Sequence, residues 1–340
     1  MNAKQRLLAA LSHAPVDRRP VTGVVTAITV DMMEAVGVRW PEAHFAPDLL
    51  ARLAAAPWEV FGIECIKLPF DMAVEAEALG VAVDFGTEDT LPQDYGAGYN
   101  HPDELTIPGD FLARGRVPIV LEAIGQLRRR YDNEVAVVSS IVGPFTLAAK
   151  LFGFENLFPW VLLEPDIARA SLAKTTALSI RYARAQLEAG ADVILIGEAS
   201  CSGDLISWKT YQDLIAPCHA RLCAALSGPT IVHICGKTTR HLPFIAATGV
   251  AGYSFDENLD IVQAREHLKG KVALVGYVPT VEALLNGTAD TVYEWAVRCL
   301  DAGVDVLNAG CSLPPHVPKE NLAAMVQAAH TWRPAASSAG

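Results

Sequence analysis

The chain has 340 residues, 51% of them hydrophobic and 19% charged, with a formal net charge of −11. That balance belongs to a core-forming globular protein and excludes a disordered one. The acidic excess, with Arg128-Arg129-Arg130 as the longest basic run, argues against nucleic acid and anionic membrane as partners.

Taken in chain order, the opening MNAKQRLLAALSH lacks the apolar segment and small-residue cleavage site of a signal peptide. Then a simple phrase recurs: a short β-branched run, a polar break and a helical stretch. The strand candidates are VTGVVT (21–26), IECIKL (63–68), VAVVSSI (135–141), DVILIG (192–197), TIVHI (230–234), AGYSF (251–255), VALVGY (272–277) and VDVLNA (304–309). Helical patterns lie between them, for example Pro165 to Ala189 and Thr291 to Ala302. Two helices close on the same phrase, EAGAD at 188–192 and DAGVD at 301–305, where glycine supplies the left-handed turn before a strand. Eight strands with intervening helices predict a (β/α)8 TIM barrel, with a doubly wound open sheet as the alternative. Residues 69–116 fit no strand–helix unit and read as an excursion between early strands, with VAVDF (81–85) as a small extra strand. The expected organisation is one catalytic domain over 1–333 and a frayed tail at 334–340. No apolar run reaches the 18 residues of a membrane span. Seven cysteines, an odd number, read as reduced thiols in a cytoplasm.

A barrel puts its chemistry just after the strand C-termini. Those positions hold Glu198, Ser200 and Cys201, then His233 and Cys235, then Asp256 and Glu257, then Tyr277 and Pro279, and finally Cys311. Residues i and i+2 of a strand share a face, so His233 and Cys235 project together. With Cys311 they make a Cys2His set, which suits zinc with one open position. The same three residues also read as a core histidine and two small buried hydrophobes. Asp256 and Glu257 read either as a fourth ligand or as caps of the following helix. Glu198 reads as a second candidate ligand, or as a partner orienting His233. Cys65, Cys218, Cys223 and Cys299 read as packing, and Asp204 and Tyr277 as rim residues without a role.

The sequence resembles the uroporphyrinogen decarboxylase superfamily, and within it the zinc-dependent methylcobamide:coenzyme M methyltransferases. The resemblance runs through RLLAALSHAPVDRRPV (6–21), FDMAVEAEALG (70–80), GPFTLAAKLFG (143–153), EAGADVILIGEASCS (188–202), VHICGKT (232–238), YSFDE (253–257), LVGYVPTVEALLNGT (274–288) and NAGCSLPPHVPKENL (308–322). The family's His-X-Cys and distant Cys fall on His233, Cys235 and Cys311. The arginine-rich segment of the decarboxylase branch has no match in TGVVTAITVDMMEAVGVRW (22–40), which carries only Arg39.

The resemblance implies a zinc ion that ionises a small thiol such as coenzyme M, whose sulfur then takes a methyl group from a methylcobamide. Two thiolates and a neutral imidazole balance zinc's charge, so a third thiolate leaves the site net negative and the sulfur nucleophilic. Glu257 is placed with the catalytic set as the carboxylate exchanging for that thiolate. No Asp-X-His-X-X-Gly corrinoid motif occurs, so the methylcobamide is expected on a separate, transiently docking corrinoid protein. Lys237, Arg240 and Arg39 are named as cations for the sulfonate of coenzyme M. Three other readings stand beside this one: demethylation of a substrate onto the corrinoid, tetrapyrrole decarboxylation, and a non-catalytic zinc or corrinoid-protein binder.

Overall fold

The β-branched runs build one all-parallel sheet in a computed structural model that describes residues 1–334. Its strands are β1 (Val21–Thr22), β2 (Cys65–Leu68), β3 (Ala136–Val142), β4 (Val193–Gly197), β5 (Thr230–His233), β6 (Gly252–Ser254), β7 (Ala273–Val278) and β8 (Val306–Ala309). The order is β1-β8-β7-β6-β5-β4-β3-β2. The two edges meet where the Glu64 N–H donates to the Val21 carbonyl at 2.7 Å. An open sheet leaves its edges apart, so this is a (β/α)8 barrel. No helix among the described residues is long and apolar enough to cross a membrane. The expected tail at 334–340 lies, apart from Pro334, outside the described residues.

The helix Pro165–Ala189 has the expected bounds. The helix expected from Thr291 starts earlier, at Ala289, because the Thr288 side chain accepts the Thr291 N–H and caps it. Gly190 and Gly303 end these helices with φ of 119° and 90°. The first strand is shorter than VTGVVT suggested. At Gly23 the chain folds back so tightly that a Cβ there would lie 2.6 Å from the Ala27 Cβ. Side chains then replace the ladder: Gly23 N–H donates to Cys65 Sγ at 3.3 Å and Val24 N–H to Asn308 Oδ1 at 3.0 Å.

The 69–116 stretch leaves the C-terminal end of β2. It contains a short helix, Val74–Ala78, and an antiparallel pair, Val83–Asp84 with Gln93–Asp94, so the extra strand expected over 81–85 is only two residues long. Buried Arg116 anchors its far end, donating to both oxygens of Asp71 at 2.8 and 3.0 Å and to Glu77 at 2.6 Å.

Alternation along the strands sends Cys65, Val138, Leu195, Ile231, Val275 and Val306 into the barrel. There they meet Leu7, Ala10 and Leu11 of the N-terminal helix Ala3–Leu11, all at most 4% exposed. This apolar plug fills the N-terminal half of the interior. Polar groups gather at the other end.

Candidate functional site

His233 is the last residue of β5, and its register partner on β6 is Ser254. The pairing sets His233 Nδ1 3.0 Å from Ser254 Oγ. A ring nitrogen held this way leaves Nε2 as the free donor atom. Two residues on, Cys235 precedes Gly236, whose φ of 83° turns the chain back over the rim. Cys311 follows β8 after Gly310, and a Cβ at Gly310 would lie 3.0 Å from Glu257 Oε2 and 3.2 Å from the Asp256 Cα. Only glycine lets the loops after β6 and β8 approach so closely.

These turns converge. The ligand atoms of His233, Cys235 and Cys311 all lie within 4.8 Å of one another, with His233 buried and the cysteines half-buried. His233 Nε2 is 3.7 Å from Cys311 Sγ. Zinc–sulfur and zinc–nitrogen bonds at a tetrahedral angle put those atoms about 3.6 Å apart, so the donor set fits zinc in both type and spacing. Of the seven cysteines, Cys311 alone is pulled below the ordinary thiol range, to about 7, by a hydrogen bond from Cys235. The same bond pushes Cys235 up. Burial pushes Cys65 and Cys299 up to about 12. Cys201 also rises, through burial and the adjacent Glu198. The cysteines away from the rim are thus held as neutral thiols, and at the rim Cys311 is the one lowered, at the expense of Cys235.

The carboxylates divide differently from the expectation. Glu198 neither joins the cluster nor orients His233. It is fully buried, and its oxygens accept from Phe145 N, Thr146 N, Thr146 Oγ1 and His219 Nε2 at 2.8–3.1 Å. It caps the helix Pro144–Phe152; burial raises its pKa, but the bonds from His219 and Thr146 outweigh that and lower it overall. Its lone pairs are taken. Asp256 is a loop anchor, accepting from Gly236 N at 2.8 Å and Asn258 N at 3.0 Å. Glu257 lies outside the three-residue cluster. The residue is exposed overall, but its carboxyl, with Oε2 near Gly310, is partly desolvated, which together with the charge of Asp256 raises its pKa.

The expected sulfonate cations are engaged elsewhere. Lys237 is 77% exposed and pairs with Asp204 at 3.0 Å. Arg39 pairs with Glu34 and Glu88 on the surface, and Arg240 lies over the Trp208 ring. Beside the cluster, a cavity of about 640 Å³ opens under the excursion, lined by Phe70, Tyr95, Lys150, Phe154 and Ser312 among others. None of the three clustered residues lines it; Ser312, next to Cys311, does.

The uroporphyrinogen decarboxylase (URO-D) family model matches residues 2–332. The chain belongs to that family. Within it, the chain is 34% identical over 328 residues to a methylated-thiol–coenzyme M methyltransferase of Methanosarcina mazei, covering 96% of this chain and 89% of the relative. It is 36% identical over 327 residues to the methylcobamide:CoM methyltransferase MtaA of Methanosarcina barkeri, covering 96% of each. A solved methyltransferase from Methanosarcina mazei superposes with a TM-score of 0.94 at 36% identity, covering 97% of this chain and 98% of the other.

In this URO-D chain, residue-by-residue reading missed Ser254 and His219. Ser254 sits inside AGYSF with no motif around it, and only the β5–β6 register brings it to His233. His219 bonds Glu198 at 2.9 Å and Tyr211 at 3.1 Å, completing a buried chain behind β4. No spacing rule links three residues on such different elements.

Proposed function

We propose that this chain moves a methyl group from a methylated cobamide to a small thiol such as coenzyme M, with His233, Cys235 and Cys311 holding a zinc ion. The convergence of two thiols and an imidazole at the barrel's C-terminal rim carries the reading. Relatives named for that transfer, alike over nearly their whole length, support it. When bound, zinc supplies a Lewis acid that ionises a thiol at neutral pH, and the thiolate is the reactive form. In the transfer the sulfur forms its bond to the methyl carbon as the cobalt–carbon bond breaks, and the bonding pair stays on cobalt, giving cobalt(I).

The protein's own groups prepare that step. Ser254 holds the His233 ring, and Gly236 and Gly310 let two cysteine loops close on it. Cys235 and Cys311 supply the negative charge that keeps an incoming sulfur electron-rich. Glu257, with no side-chain partner in another residue among those described, is the carboxylate we assign to the fourth position when no thiol is there. Residues 1–333 act as one catalytic unit, with 69–116 shaping the mouth through which the corrinoid, on a separate carrier, meets the thiol. The free cysteines suit a reducing cytoplasm.

The test uses purified, unchelated protein with methylcobalamin and 2-mercaptoethanesulfonate. The expected result is thiol-dependent conversion to cob(I)alamin with formation of the methyl thioether, abolished by a zinc chelator and restored by zinc. Turnover unaffected by complete metal removal, or none with zinc present, refutes the reading.

A further inference from the structure

Lys67 is a buried cation without an anion. On β2 it points the same way as Cys65, into the barrel, and it is 8% exposed. Its ammonium donates to Thr26 Oγ1 at 3.0 Å and to the Pro69 carbonyl at 2.5 Å. An ammonium has three N–H groups, and the third has no partner among the described residues. Other buried cations are matched differently: Arg6 bridges Asp17 and Glu64, and Arg116 bridges Asp71 and Glu77. Lys67 forms no ion pair among the described residues, although Lys4, Lys150 and Lys237 all do. A desolvated charge costs several kcal/mol unless something answers it.

What it faces is the site. Lys67, His233, Ser140 and Ser312 line one cavity of about 60 Å³, room for a handful of heavy atoms. Two carboxyls, Asp71 and Glu75, share that wall, and neither forms an ion pair with the ammonium. Asp71 is held by both terminal nitrogens of Arg116. Glu75 accepts the Val142 N–H, and burial pushes its pKa up to about 7. Burial also pulls Lys67 down to about 8, which leaves it mostly cationic at neutral pH.

We propose that Lys67 anchors the anionic tail of the thiol acceptor, so that a two-carbon thiol ending in a sulfonate spans from the Lys67 ammonium to the His233–Cys235–Cys311 cluster. The assignment rests on the methyl-transfer reading and adds the feature that selects the acceptor. Thr26 and the Pro69 carbonyl hold the ammonium in place, and the third N–H takes a sulfonate oxygen. Lys67 is buried on the wall it shares with His233, whereas Lys237, Arg240 and Arg39 are engaged toward the surface.

The test is a thiol series of equal length and differing tail charge: 2-mercaptoethanesulfonate, 2-mercaptoethanol and 2-aminoethanethiol. Each is titrated calorimetrically into the zinc-loaded full chain and assayed as methyl acceptor from methylcobalamin. The unaltered protein should bind the sulfonate thiol about 10- to 100-fold more tightly than the neutral one, as a charge-assisted hydrogen bond warrants, and the cationic thiol most weakly. Lys67→Met, of similar volume, should erase most of that ratio. Equal binding of all three by the unaltered protein overturns the assignment, and this needs no variant to fold. A Lys67→Met protein that keeps the anionic preference overturns it too. If the binding order holds but no thiol is methylated, the methyl-transfer reading fails and Lys67 stands as an anion anchor.

Discussion

The two ends of the barrel treat polar groups in opposite ways. At the N-terminal end, Glu64 is 2% exposed and fully matched. Its carboxylate accepts from Arg6, from both terminal nitrogens of Arg18 at 2.8 Å and from Val21 N at 3.2 Å. The plug of Leu7, Ala10 and Leu11 seals the interior above it. At the C-terminal end, two thiols and an imidazole nitrogen cluster with only one another, and beside them Lys67 keeps one ammonium N–H without a partner among the described residues, on the wall of a cavity it shares with His233. Closing the first end with satisfied charges and apolar volume holds the barrel together. The second end keeps bonding capacity free for ligands, and the fold tolerates its cost because the other end is so well closed.

Four substitutions probe that contrast. The largest effect belongs to Cys311→Ala, which removes one of three donors from a half-buried loop. Zinc content should fall from about one per chain toward none, with methyl transfer below about one-hundredth, since losing even an outer-shell partner costs 10- to 100-fold. Elemental analysis and the methylcobalamin assay measure this; a variant retaining both would break the proposed site. Its thermal unfolding should change little compared with that of the next variant.

Glu64→Ala should do the reverse. It leaves the buried Arg6 with Asp17 as its only carboxylate and Arg18 with none, and should cost about 2–3 kcal/mol of stability, the scale of lost hydrogen bonds to a charged group, read by urea denaturation. Methyl transfer by the folded fraction should be unchanged, because no group at the mouth is touched. If activity fell with stability intact, the two ends would not be separable.

Glu75→Gln, at the mouth, should stabilise, and only at higher pH. Burial raises this carboxyl from 4.5 to about 7 in the folded chain. Between those values the native state holds a proton that the unfolded state has lost, so stability falls as pH rises and the full cost is in place above about 7. Glutamine keeps the acceptor for Val142 N and removes that cost. The gain should be roughly 2–3 kcal/mol at pH 8 and near zero at pH 4.5, by denaturant titration at the two pH values. An equal gain at both would mean packing, and not ionisation, is responsible.

The smallest effect is expected from Ser254→Ala. It frees the His233 ring without removing a ligand, and should weaken zinc binding about 10-fold, the low end for an outer-shell partner. Competition with a chromophoric chelator reads that directly. No change would show that the ring is held by packing alone.

The sequence by itself determined the repeat and which side chains stand at the strand ends. β-branched runs, helix-ending glycines and strand-terminal His233, Cys235 and Cys311 are local patterns, set by backbone period and by side-chain chemistry, and the barrel they imply is the one observed. Tertiary structure decided what each rim carboxylate does. Glu198, Asp256 and Glu257 look alike in the chain, but one caps a helix, one anchors a loop and one has no side-chain partner in another residue among those described. It also decided that Ser254 meets His233, through a parallel register. The inward turn of Lys67 is another such outcome, in a strand where IECIKL offers no hint that its lysine is buried. Partnership and burial depend on which distant strands become neighbours. That is settled by closure of the barrel, where Glu64 meets Val21 across the chain, and not by the residues on either side of a position.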